Sequence, residues 1–286
     1  MKLDLIVRYL LNFLRSYEYV HHVIILTFIG MMLSKSFSIL LIPLLVANMA
    51  LLTFAFTFND IEDAADDKKG LIKKRRNPIS QGKISKNKGY LIAFTFLLVS
   101  LVTYFLIERT LFTIFSIIGI LWFLYSWRAI RLKSKPISDV LVHGIGFGII
   151  PLSGYLIARQ PDMIIFLFVT ISSIISVIGE LLNELRDFGI DKKSKFKTTA
   201  IILGRNLTRK LIIVLAGIDI LSVGYLFYLI LPLPIFIIWA ILFYAISLLV
   251  FLPLLRLKDN LYTPFHNKIG LFYLLLIVSS IIYFSL

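Results

Sequence analysis

"TFAFTFNDIEDAADDKKGLIKKRRNPISQGKIS" (residues 53–85) carries an unbroken apolar run straight into Asn59, Asp60, Glu62, Asp63, Asp66 and Asp67, followed by nine Lys and Arg between positions 68 and 88. The run of Leu, Ala, Phe and Thr before Asn59 has the length and character of a membrane-spanning helix. Carboxylates are expensive at such a place, with insertion scales giving up to about 2.5–3.5 kcal/mol for an Asp at a helix centre and less near the interface. The reading of this helix end decides both fold and function.

The rest of the chain agrees with a membrane setting. Of 286 residues, 59% are hydrophobic and 16% charged, with a mean hydropathy of +0.91, outside the range of a soluble globular domain. Cysteine is absent, which excludes disulfides, thiolate catalysis and Cys-ligated metal sites, and four scattered His do not form a His-based metal motif. The start, "MKLDLIVRYLLNFLRSYEYVHH", spaces apolar residues helically around Lys2, Arg8 and Arg15 and shows no small-residue cleavage site. It reads as an interfacial helix rather than a signal peptide.

Apolar stretches able to cross about 30 Å of hydrocarbon fall near 19–34, 37–58, 89–107, 110–127, 139–158, 162–183, 211–230, 233–254 and 269–286. The expected fold is all-α, a polytopic membrane protein of nine transmembrane helices. Short connections alternate with long basic ones, and of 30 Lys and Arg all but Lys35, Arg109 and Arg159 fall on the long-loop side. The positive-inside rule then puts the N-terminus and the acidic motifs on the cytoplasmic side of a multi-pass cell-membrane protein. It also accounts for the net charge of +14 as a topology signal and an affinity for anionic lipid, with no call for nucleic acid.

A second acidic cluster, "GELLNELRDFGIDKKSKFKTTAIILGR" (179–205), follows the sixth span as the first follows the second. Both contain N-x-x-x-D-x-x-x-D: Asn59, Asp63, Asp67 and Asn183, Asp187, Asp191, offset by 124 residues (183 minus 59) with four spans between. This predicts a parallel repeat within one domain of residues 1–286: a four-helix unit over 1–127 carrying the motif 59–67, a second over 128–254 carrying 183–191, and an extra ninth helix at 269–286. Side chains four apart lie on one helical face, rising about 6 Å per step. Such oxygen-only donor sets suit hard divalent cations, Mg²⁺ above all, and not zinc, copper or iron. Basic residues follow each array, and metal-bridging carboxylates beside cations form an arrangement that suits a diphosphate. Asp60, Glu62, Asp66 and Glu184 taken singly also read as solvated helix-end acids. An ion-coupled membrane transporter is the alternative, since membrane carboxylates also relay protons, though that class expects acids at mid-span in broken helices.

"NDIEDAADD", "RRNPISQGKIS", the "LKSKP" turn before the fifth span and "NELRDFGIDKKSKFKTTAIILGR" together resemble the UbiA superfamily of intramembrane prenyltransferases, over nearly the whole chain. The resemblance implies transfer of an isoprenyl group from a prenyl diphosphate, such as geranylgeranyl diphosphate, to a lipophilic acceptor in the bilayer, with two Mg²⁺ ions as cofactors. It implies that Asn59, Asp63 and Asp67 hold one ion and Asp187 and Asp191 the other with help from Asn183, the four aspartates being catalytic. Arg15, Arg75, Arg76, Lys133 and Lys135 match positions that grip the diphosphate. Ether-lipid glycerol phosphate, a quinone or haem precursor and a carotenoid stay open as acceptors. The text "KKRRNPISQG" departs from the K-P-x-R-P wording of the quinone and ether-lipid branches, with Asn77 in place of the second Arg, and looks closer to archaeal and carotenoid-prenylating members. Gly144, Gly146, Gly148 and Gly154, with Pro151, predict close helix approach or a bend in the fifth span.

Overall fold

The computed structural model describes residues 16–68, 77–193, 196–255 and 262–286. Among them the secondary structure is helical, without strands, and each of the nine expected stretches is occupied by helix: α1 (Ser16–Leu33), α2 (Leu41–Asp67), α3 (Lys86–Ile107), α4 (Arg109–Ser126), α5 (Ser138–Gly148) with α6 (Ile150–Tyr155), α7 (Met163–Lys193), α8 (Thr199–Ile230), α9 (Leu233–Leu255) and α10 (Tyr262–Ser285). Five of these (α2, α3, α4, α7 and α8) are long and apolar enough to cross a membrane, and three shorter apolar stretches lie in α1, α9 and α10. The fifth expected span is divided, because the chain turns at Ile149 and Pro151 stands at the start of α6, where its missing N–H costs no helical bond. α8 also departs from regular geometry at Gly204, whose φ of +74° is open to a residue without Cβ.

The chain forms two compact units. The first comprises the described part of Met1–Ile24 with Ile39–Arg131, the second Ile25–Ser38 with Leu132–Leu286. In the first unit α2 packs on α3 and α4. It is the interior member, with 61% of its most apolar window buried against 17% in α3 and 33% in α4. Its placement is fixed by polar contacts that hydrocarbon cannot replace. The Tyr104 hydroxyl donates to Asn48 Oδ1 at 2.5 Å while its ring stacks on Phe115, and the Tyr19 hydroxyl meets Thr53 Oγ1. Phe54 and Phe58 complete the buried face, so these two aromatics serve packing. The turn into α4 is capped by Glu108, whose carboxylate accepts from Leu111 N at 3.0 Å.

In the second unit α7 is the hub, packed against α5, α6, α8 and α10. Three glycines of the fifth stretch, Gly144, Gly148 and Gly154, mark close approaches of neighbouring helices, as expected. A Cβ on Gly148 would overlap Ser173, one on Gly144 would press on Val177, and one on Gly154 would collide with the backbone of Thr27 and Met31. Gly30 is the reciprocal partner, facing the Pro151 carbonyl.

Candidate active site

In the first unit α2 runs unbroken through Asp67, so Asn59, Asp63 and Asp67 do share one helical face. Each is held by a different piece of the unit. Asn59 Oδ1 accepts from Ser126 Oγ at 3.1 Å, at the end of α4. Asp63 Oδ1 accepts from Arg131 Nη2 at 3.0 Å. Asp67 Oδ2 accepts from Asn77 Nδ2 at 2.9 Å. All three are half-buried.

The neighbouring acids divide by role. Glu62 is buried and accepts from the Tyr90 hydroxyl at 2.5 Å and the Arg128 N–H at 2.9 Å, tying α2 to α3 and to the segment after α4. Asp60 is buried as well, and its carbonyl accepts from Asn77 Nδ2 at 2.7 Å. Neither is a solvated helix-end acid. Asp66, by contrast, sits with Asp63 on one guanidinium, 2.9 Å from Arg131 Nη2, and lies 3.6 Å from Arg128. Its i+3 spacing from Asp63 puts it on the same side of the helix, a signal available in the sequence.

In the second unit Asn183, Asp187 and Asp191 lie on the equally unbroken α7. Asn183 Nδ2 donates to Glu180 Oε2 at 3.3 Å, and Glu180 stands 3.6 Å from His143 Nε2 on α5. Asp187 is gripped by its neighbour Arg186, with Nε 3.0 Å from Oδ1 and Nη2 3.4 Å from Oδ2. Asp191 is buried, and its carbonyl accepts from Phe196 N at 3.0 Å as the chain leaves the helix. Glu184 Oε2 accepts from Ala200 N at 2.7 Å. Asp139, from the first turn of α5, accepts from Thr199 N at 2.6 Å and from the Thr199 hydroxyl at 2.5 Å. The two buried carboxylates therefore satisfy N–H groups that the start of α8 leaves without helical partners, and they anchor α8 to α7 and α5. Asp139 and Glu184 are structural acids beside a candidate site.

Of the expected diphosphate residues, Arg15, Arg75 and Arg76 lie outside the described residues. Lys133 is half-buried in the 3₁₀ turn Leu132–Ser134, and Lys135 presents its side chain to the surface while its carbonyl accepts from Ser138 Oγ at 3.0 Å. Sequence reasoning missed Arg131 and the bracing role of Asn77. Arg131 lies within the basic group 128–139, where charge alone does not tell a topology signal from a site residue.

Among the described residues, no three His, Asp or Glu side chains gather in metal-binding geometry. The donor chemistry nevertheless fits Mg²⁺: two carboxylates and an amide oxygen on one face, without soft ligands, and a single cation already held between Asp63 and Asp66.

Each unit thus presents one set of oxygen donors spaced i, i+4 and i+8 on an unbroken helix, in a chain whose described residues include five helices apolar and long enough to cross a membrane. The model of the UbiA prenyltransferase family matches residues 23–280, and the chain belongs to that family. Prenyl transfer is its activity class, which removes the transporter alternative. Similar solved structures include a UbiA homologue from Archaeoglobus fulgidus bound to GPP and Mg²⁺, 20% identical, covering 96% of this chain and 99% of that one at a TM-score of 0.73. A structure of digeranylgeranylglyceryl phosphate synthase is 19% identical over 96% of this chain and 98% of that one, with a TM-score of 0.74. An apo UbiA homologue from Aeropyrum pernix is 16% identical over 94% and 98%, with a TM-score of 0.71. At these identities the likeness establishes the shared fold. No curated protein matches the chain at the sequence level.

Proposed function

We infer that the protein is a Mg²⁺-dependent intramembrane prenyltransferase, moving an isoprenyl group from a prenyl diphosphate such as geranylgeranyl diphosphate to a lipophilic acceptor. The observation that carries this reading is the duplicated array: six oxygen-bearing side chains at i, i+4 and i+8 on two unbroken helices, one in each unit. Asn59, Asp63 and Asp67 hold one metal ion, and Asn183, Asp187 and Asp191 the other. Arg15, Arg75, Arg76, Lys133 and Lys135 grip the diphosphate. When bound, the metals would neutralise the charge that develops on the leaving diphosphate as the allylic C–O bond breaks.

The chain's own residues supply position. Ser126 and Asn77 orient the first array's outer members, and the Glu184–Ala200 contact ties the helix that carries the second to α8, which Asp139 holds in turn through Thr199. The protein works as a single domain with its N-terminus and both arrays on the cytoplasmic side, as its charge bias directs. Nine membrane-crossing helices in two four-helix repeats, the divided fifth one included, complete this reading. The acceptor is an ether-lipid glycerol phosphate, a quinone or haem precursor, or a carotenoid; the structure of a digeranylgeranylglyceryl phosphate synthase among the similar folds supports testing the first of these first.

The test is incubation of the purified protein with Mg²⁺, labelled geranylgeranyl diphosphate and a panel of these acceptors, followed by mass spectrometry of the lipids. Product should form with at least one acceptor and vanish on chelation of the metal. Asp63→Ala and Asp187→Ala should each abolish transfer while leaving the protein folded. Turnover near wild type in either variant would refute the metal assignment.

A further inference from the structure

Arg131 meets the first array in an unusual way. One of its nitrogens, Nη2, lies 3.0 Å from Asp63 Oδ1 and 2.9 Å from Asp66 Oδ2, so a single cationic centre sits between two carboxylate oxygens. The arrangement is half-buried, the Arg131 side chain being 17% exposed and the two acids 21% and 29%. Its backbone is also left-handed, with φ of +49°, where a residue bearing an ordinary Cβ is strained and Gly or Asn is at ease. A strained residue that puts its charge between two acids of a candidate metal site points to a use for that charge.

Planar guanidinium groups bind phosphate oxygens as readily as carboxylates, and do so bidentately. Arg131 therefore has two kinds of anionic partner in a prenyltransferase of this type, the acids of α2 and the diphosphate of the donor. Asp63 likewise has two kinds of cationic partner. The exchange of partners joins them.

We propose that Arg131 is an internal competitor for the metal at the first array: its guanidinium fills the cation position between Asp63 and Asp66, and it yields Asp63 to Mg²⁺ by turning to the diphosphate of an arriving donor. The proposal rests on the reading of that array as a Mg²⁺ site. It makes metal binding weak in the donor-free protein and makes metal and donor each raise the other's affinity by the same factor, since such coupling is reciprocal. Arg131 is then a positioning residue that keeps the site charge-balanced until substrate is present.

The experiment is calorimetric titration of Mg²⁺ into the full-length protein in detergent, with and without a non-hydrolysable prenyl diphosphate. The variants are Arg131→Gly and Arg131→Asn, which suit the backbone and remove the charge, and Arg131→Lys, which keeps the charge. Without donor, both neutral variants should bind Mg²⁺ about tenfold more tightly than wild type, within the usual range of site-to-site coupling. The donor analogue should then tighten Mg²⁺ binding less than it does in wild type, and Arg131→Lys should stay close to wild type. Thermal unfolding midpoints of all variants, with and without Mg²⁺, are read alongside, and in the neutral variants added Mg²⁺ should raise the midpoint more than it does in wild type, since the metal then replaces the missing charge. Mg²⁺ affinity equal to or weaker than wild type in both neutral variants would overturn the proposal. If wild type binds no Mg²⁺ in either condition, the metal-site reading and this proposal fall together. If Asp63→Ala removes Mg²⁺ binding while the Arg131 variants leave it unchanged, only this proposal falls.

Discussion

Asn77 is the residue whose replacement tests the geometry of the first array most directly. It is 2% exposed and uses its whole hydrogen-bonding capacity: Nδ2 donates to the Asp60 carbonyl at 2.7 Å and to Asp67 Oδ2 at 2.9 Å, while Oδ1 accepts from Ile79 N at 3.0 Å and Ser80 N at 3.3 Å. Asn77→Ala removes all four bonds. At about 1 kcal/mol each their sum is about 4 kcal/mol, and since they share one side chain we expect a loss of about 2–3 kcal/mol. Asn77→Asp is nearly isosteric and keeps the two acceptor bonds, yet it turns both donor contacts into oxygen–oxygen contacts and sets a carboxylate against Asp67. Two unit charges about 3 Å apart repel by about 5 kcal/mol at an effective dielectric of about 20, relieved in part by protonation or by the side chain turning away. The conservative-looking Asp should therefore be the more damaging change. Thermal unfolding in detergent, followed by tryptophan fluorescence, gives the order wild type, Ala, Asp in falling stability. Mg²⁺ half-saturation of transfer should worsen in both variants. An Asn77→Asp protein as stable as wild type would refute the hydrogen-bond assignment and the orientation of Asp67 drawn from it.

Two further changes separate structure from chemistry. Glu184→Ala takes away the acceptor for the buried Ala200 N–H and should cost about 1–2 kcal/mol of stability, as the loss of a helix cap does, without shifting the Mg²⁺ half-saturation; a shift in the metal response and none in stability would move Glu184 into the metal site. Gly148→Ala forces a methyl against Ser173, whose Cα lies 2.7 Å from the added carbon, and should destabilise by about 1–3 kcal/mol through overpacking. Detergent melts that show Gly148→Ala at or above the wild-type midpoint would contradict the close approach of α5 and α7.

What the sequence made legible is what helical period can carry. The apolar runs located the helices, the N-x-x-x-D-x-x-x-D spacing put three oxygen donors on one face of α2 and three on α7, and Gly144, Gly148 and Gly154 announced backbone contact. The break at Ile149 was not legible as a position, because Pro151 permits a new helix start without dictating where the old helix ends. Nor were the partners of the acids, which come from segments distant in sequence. Arg131 is 68 residues from Asp63, and Thr199 is 60 from Asp139. Where those loops fold back depends on tertiary packing, which charge and periodicity do not encode locally. Asn77 was visible as a departure from the familiar wording of its segment, but its role as a brace appears only once it is seen buried beneath Asp60 and Asp67.

On the proposed metal reading, the partners separate acids that already face a cation from acids that hold the helices together. On α2, at 100° per residue, Glu62, Asp66, Asn59, Asp63, Asp67 and Asp60 fan in that order across about 160° of arc. At one edge Glu62 is satisfied by neutral donors, a tyrosine hydroxyl and a backbone N–H; at the other, Asp60 lies buried. In the middle Asp63 and Asp66 meet a guanidinium. Glu62, held by neutral donors in a buried place, would lose bonds that tie α2 to its neighbours if it turned to a cation. A carboxylate held by a cation can trade that cation for another. The second cluster sorts the same way: Glu184, which the offset of 124 residues aligns with Asp60, is buried against the Ala200 N–H, whereas Asp187, aligned with Asp63, faces the guanidinium of Arg186. In both units the aspartate at the array's centre faces a guanidinium, while a buried glutamate beside it, Glu62 in the first and Glu184 in the second, holds the helix that presents it.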